Sequence, residues 1–128
     1  MKKPPVIRCG VIGYGYWGPN LARIIDELPN AEISIICDND PDRLKVAGSR
    51  FADVTLTADA NSVLGNCDTE AIFIATPVSQ HYMLALGALR EGKHVFVEKP
   101  LASTSQEAEQ LAKEADKRGL VLMVNHVF

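Results

Sequence analysis

Along the chain, short unbroken apolar runs alternate with stretches in which apolar residues recur every three or four positions. The runs are VIRCGVIG (6–13), AEISIIC (31–37), AIFIAT (71–76), HVFVE (94–98) and LVLMV (120–124), with a weaker one, VTLT, at 54–57. Runs of that length, apolar throughout, predict strands buried on both faces. Between them, Leu21, Ile24, Ile25 and Leu28 form one stripe of a helix over 20–28. Leu44, Ala47 and Phe51 supply the inner face of a second helix, for which Asp40 and Pro41 are cap and first position. A poor helix is predicted near Asp59 to Leu64. A better one is capped by Ser79 and stopped by Gly92. The last, over 103–119, opens with two overlapping capping boxes, Ser103 with Gln106 and Thr104 with Glu107. Its stripe is Ala108, Leu111, Ala112 and Ala115, and Gly119 ends it.

No repeat, low-complexity tract or linker interrupts this order, so residues 1–128 are expected to form one domain. Strands alternating with amphipathic helices imply an α/β fold, a mainly parallel sheet with helices on both faces. Six strands match the doubly wound, Rossmann dinucleotide-binding arrangement, with expected strand order 3-2-1-4-5-6. The net charge of −3 and the lack of a basic stripe exclude the electrostatic footprint of a nucleic-acid or membrane-surface binder. No apolar stretch approaches the ~20 residues that cross a bilayer, and Lys2-Lys3 leads into Pro4-Pro5 rather than a secretory signal. The three cysteines, Cys9, Cys37 and Cys67, show no CxxC spacing. A disulfide framework and a zinc site are therefore not expected, and a reducing cytoplasm fits best.

The first strand leads into Gly13-Tyr14-Gly15-Tyr16-Trp17-Gly18, a GxGxxG pattern. The pattern is common in loops, but its place between a strand and a helix gives it weight. Gly13 permits a tight turn, Gly15 lets the backbone reach a diphosphate, and Gly18 allows close helix–sheet packing. Free N–H groups and the positive end of the helix dipole then meet the anion. Tyr14, Tyr16 and Trp17 either cap the ligand or pack on neighbouring loops. Asp38 ends the second strand, twenty positions after Gly18, where a carboxylate accepts hydrogen bonds from an adenosine ribose and repels a 2′-phosphate. NAD is favoured on that ground; Arg43, a nearby guanidinium, keeps NADP open.

Ligands of an open parallel sheet lie beyond the carboxyl ends of its strands. There the fourth strand delivers Thr76 and Pro77, expected to flank the nicotinamide half of the cofactor. The fifth delivers Glu98-Lys99-Pro100, which puts an ammonium at the mouth of the crevice. Lys99 can hydrogen-bond a substrate hydroxyl and stabilise the alkoxide that develops as hydride leaves carbon.

These segments, GVIGYGYWGPNLAR, ICDNDPDR, IATPVSQHY, GKHVFVEKPLA and LVLMVNHVF, resemble the Gfo/Idh/MocA oxidoreductases over essentially the whole chain. Such enzymes transfer hydride between a nicotinamide cofactor and a sugar, inositol or related polyol carbon. The resemblance implies cofactor contacts at Gly13, Gly15, Gly18 and Asp38, nicotinamide-side contacts at Thr76, Pro77 and Glu98, and the catalytic lysine role for Lys99. It also implies a cis peptide before Pro100. His81 matches a family position on the cofactor side, and its place in a first helical turn favours anchoring the loop over proton transfer. His126 follows the sixth strand and could face the crevice. GYWGPN is similar to the branch acting on nucleotide-linked, N-acetylated hexosamines.

Family members are more than twice this long, and their second domain binds the sugar. The expectation is a cofactor domain that binds NAD(H) and shows little or no turnover alone, with bared apolar surface that makes a homo-oligomer plausible. The rival readings are a non-catalytic dinucleotide module or a subunit completed by another chain, and an S-adenosylmethionine methyltransferase, for which the Glu98-Lys99-Pro100 segment has no task.

Overall fold

A computed structural model describes residues 5–125. Strands β1 (Ile7–Ile12), β2 (Ala31–Cys37), β3 (Thr55–Thr57), β4 (Ala71–Ile74), β5 (His94–Glu98) and β6 (Leu122–Asn125) form one sheet. Its order is β3-β2-β1-β4-β5-β6, and every neighbouring pair is parallel. This is the doubly wound Rossmann arrangement expected from the alternation of patterns.

Helices α1 (Gly18–Glu27) and α2 (Pro41–Arg50) cover one face. Ala22, Ile25 and Ala47 pack there on Cys9, Val11, Ile33 and Ile36 of β1 and β2. Helices α3 (Ala60–Leu64), α4 (His81–Arg90) and α5 (Ser105–Arg118) cover the other. On that side Val63, Ala85, Leu89, Leu111 and Ala115 meet Ile35, Ile72, Ile74, Val95 and Val97. The central strands β1 and β2 are thus apolar on both sides because each side has helices above it.

The helix ends follow the sequence chemistry, with three exceptions. Asp40 caps α2 by accepting the Asp42 N–H at 2.9 Å, and Thr104 caps α5 by accepting the Glu107 N–H at 3.1 Å. Of the two predicted boxes only the Thr104–Glu107 one forms, and the Glu107 carboxylate reaches back to the Ser103 N–H. Ser79 does not cap α4: it lies inside a 3₁₀ turn, Val78–Gln80, that has already turned the chain before the helix begins. α1 begins at Gly18, two residues before the expected Asn20.

The stripe expected on α1 also shifts. Its buried residues are Gly18, Leu21, Ala22 and Ile25, whereas Ile24 and Leu28 are 43% and 46% exposed. The helix sits over β1 and β2. Among the described residues, no helix covers β4–β6 on the same side. There the Phe73 and Phe96 rings lie 5.1 Å apart and Met123 is exposed. Ala112 likewise faces solvent on α5, since Leu111 and Ala115 already fill the contact with the sheet. None of the helices is long and apolar enough to cross a membrane, among the described residues.

Candidate functional site

The loops after β1, β2, β4 and β5 gather at the carboxyl edge of the sheet. β1 ends at Ile12, and Gly13 turns the chain with φ +97°, a conformation that side chains oppose. The Gly13 N–H donates to the Cys37 carbonyl at 2.8 Å. A Cβ on Gly18 would stand 2.0 Å from the Gly13 carbonyl oxygen, so backbone lies directly on backbone. Among the described residues, the N–H groups of Gly15, Tyr16, Trp17 and Gly18 have no protein acceptor. Four open donors at the positive end of α1 form a site for an anion.

Asp38 lies beside this loop, 6% exposed. Its Oδ2 accepts the Tyr14 N–H at 2.7 Å and its Oδ1 accepts the Asp40 N–H at 2.8 Å. The Arg43 guanidinium is 3.7 Å from Asp38 and 3.7 Å from Asp40. It also roofs Gly15, where a Cβ would meet it at 3.2 Å. A cavity of about 560 Å³ opens between Gly13, Gly15, Asp38, Arg43, Thr76 and Pro77. Cys37 also lines it, but burial, and then the charges of Asp38 and Asp59, push its thiol up to about 11. It is a neutral wall, not a nucleophile.

The three aromatic residues of the loop separate. Tyr14 points away from the crevice into the core under α1 and α2, and it is 2% exposed. Burial raises its phenol's pKa, against the lowering effect of Arg50, and its hydroxyl has no partner. Only its amide takes part in the site. Tyr16 and Trp17 stay at the rim, exposed and in edge-on contact at 5.3 Å, and both line the cavity.

Thr76 and Pro77 follow β4, and the Thr76 hydroxyl is buried without a partner. His81, 1% exposed, does not face the crevice. Its Nε2 lies 2.8 Å from the Thr76 carbonyl and its Nδ1 2.7 Å from the Pro100 carbonyl. One ring therefore ties the loop after β4 to the turn after β5. The Lys99–Pro100 peptide in that turn is cis. Glu98 is 8% exposed and accepts a hydrogen bond from Asn125 Nδ2 at 2.9 Å. Asn125 was not singled out by the sequence. The signal for it is its place as the last residue of β6, paired in register with Glu98. Lys99 lines a second cavity, of about 420 Å³, together with Glu98, Asn125, Thr76 and Trp17. Thr76 and Trp17 border both cavities, so the cavity lined by Lys99 adjoins the one lined by the glycine loop. His126 lies outside the described residues.

A family model described as "Oxidoreductase family, NAD-binding Rossmann fold" matches residues 7–126. The chain belongs to the Gfo/Idh/MocA oxidoreductases. It forms their NAD(P)-binding domain. Over 126 residues it is 29% identical to the scyllo-inositol 2-dehydrogenase (NADP(+)) IolW of Bacillus subtilis, covering 98% of this chain and 34% of that protein. The WlbA dehydrogenase of Bordetella pertussis, solved with NADH and UDP-GlcNAcA, superimposes with a TM-score of 0.86 at 28% identity, over 94% of this chain and 37% of that one. The 3-ketoreductase KijD10 of Actinomadura kijaniata, solved as its Y186F mutant with TDP-benzene and NADP, gives a TM-score of 0.87 at 33% identity, over 94% and 37%. The chain spans about a third of the length of the curated relatives it matches.

Proposed function

We propose that the chain is the cofactor-binding half of an NAD(H)-dependent oxidoreductase that acts on a hydroxyl carbon of a sugar, sugar nucleotide or polyol. The observation that carries this reading is the set of four open amides at the start of α1, next to a buried carboxylate and continuous with Lys99. The amides of Gly15 to Gly18 hold the diphosphate. Remaining lone pairs on Asp38 accept from the adenosine ribose, and its charge disfavours a 2′-phosphate. Arg43, which could answer that phosphate, is drawn back by Asp38 and Asp40. Thr76, Pro77 and Glu98 border the nicotinamide end.

When bound, the nicotinamide ring supplies a hydride acceptor or donor. Lys99 then hydrogen-bonds the substrate oxygen, stabilising negative charge as it develops there. Relatives described as inositol 2-dehydrogenases, and one solved with a nucleotide sugar, support this substrate class. Hydride transfer needs the reacting atoms held about 3–3.5 Å apart. These 128 residues by themselves are expected to bind coenzyme without turning over.

Titration with NADH and NADPH, followed by nicotinamide fluorescence, tests the reading. Saturable binding is expected, with NADH about tenfold tighter, a difference of about 1.4 kcal/mol. A chain that binds neither coenzyme sinks the proposal, and steady oxidation of a sugar nucleotide by these 128 residues sinks the claim of inactivity.

A further inference from the structure

The Asp38 carboxylate has more protein contacts than reading a ribose requires. Both of its oxygens accept main-chain N–H groups, from Tyr14 at 2.7 Å and from Asp40 at 2.8 Å. Tyr14 is 2% exposed, so water has little access to replace the acceptor. The neighbouring Gly13 N–H is already committed to the Cys37 carbonyl, and the Gly13 carbonyl is wedged against Gly18. The two residues that precede the open amides are thus fixed to the end of β2, one through its backbone and one through this carboxylate.

We propose that Asp38 is a positioning residue for the phosphate cradle: by accepting the Tyr14 N–H it latches the root of the glycine loop and holds the amides of Gly15 to Gly18 ready for a diphosphate. Ribose selection is then its second task. The two roles predict different things for the coenzyme that carries a 2′-phosphate. A carboxylate that only reads the ribose repels NADPH, and its removal strengthens NADPH binding. A carboxylate that also latches the loop serves both coenzymes, and its removal harms the cradle that both share. The binding arm of the test rests on the cofactor reading above; the exchange arm does not.

The experiment combines amide hydrogen exchange of the chain without coenzyme with fluorescence titration of wild type, Asp38→Asn and Asp38→Ala. In wild type the Tyr14 amide should exchange far more slowly than those of Gly15, Tyr16 and Trp17. In Asp38→Ala it should exchange at the rate of those neighbours, and in Asp38→Asn, whose Oδ1 still accepts one N–H, at a rate between them and wild type. NADH affinity should fall about tenfold in Asp38→Ala. If Asp38→Ala does not fold, Asp38→Asn serves through its loss of one of the two accepted N–H groups, from Tyr14 or Asp40, read as faster exchange of that amide than in wild type. A wild-type Tyr14 amide that exchanges as fast as Gly15, or an Asp38→Ala chain whose Tyr14 amide stays as protected as in wild type, overturns the proposal. Wild-type chain that binds neither coenzyme but protects Tyr14 would defeat the functional reading and support the latch.

Discussion

The two ends of the crevice are held together by opposite means. At the glycine loop, backbone rests on backbone: Gly18 against the Gly13 carbonyl, and the Gly13 N–H on the Cys37 carbonyl. At the lysine end, two loops from different strands are joined by a side chain, the His81 ring between the Thr76 and Pro100 carbonyls. The first junction has no space to spare, and the second rests on one buried ring. One is broken by adding a single carbon, the other by taking a ring away.

Gly18→Ala should therefore do the most damage. Its Cβ would stand 2.0 Å from a main-chain oxygen that no rotamer change can move. We expect a loss of about 3 kcal/mol or more, and no NADH binding by whatever folds. A thermal unfolding midpoint within a degree or two of wild type would break the comparison at its first half. His81→Ala comes next. It removes the ring from between two carbonyls and opens a hole, at a cost of about 2–4 kcal/mol. His81→Asn, which keeps an N–H donor but not the ring's size, should fall between. Urea unfolding of both variants checks this, and equal stability of the two would mean that the carbonyl contacts are not what the ring supplies. Gly15→Ala should be mildest. Its Cβ meets only the head of Arg43, at 3.2 Å, which can swing aside. Stability should change by less than about 1 kcal/mol, with NADH affinity reduced less than in Gly18→Ala. If Gly15→Ala proves as harmful as Gly18→Ala, the distinction between side-chain and backbone neighbours fails.

The fold was legible because its period changes are sharp. Strand-length apolar runs and helical stripes alternate without interruption, and capping residues such as Asp40 and Thr104 mark where helices begin. What escaped reading has physical causes. The buried stripe of α1 includes Gly18 and Ala22, small residues that carry little hydrophobic weight but let the helix approach the sheet. Ile24 and Leu28 looked like its core and instead border the uncovered strip beside Phe73 and Phe96. Tyr14 sits among glycines, where an aromatic ring suggests a ligand, yet its side chain turns inward and its amide alone reaches Asp38. The partners of His81 are main-chain carbonyls, which no pattern of side chains records. Asn125 matters through register, a property of pairing rather than of local sequence.

The strand order has a consequence for the newborn chain. β1 is flanked by β2 and by β4, and the latter is made only after α1, β2, α2, β3 and α3 have emerged. The first half of the protein can assemble three strands, but the crevice has only one wall until Thr76 arrives. A ligand that needs both walls can therefore bias folding by mass action only once β4 is in place, and the long-range pairing of β4 with β1 must proceed unaided.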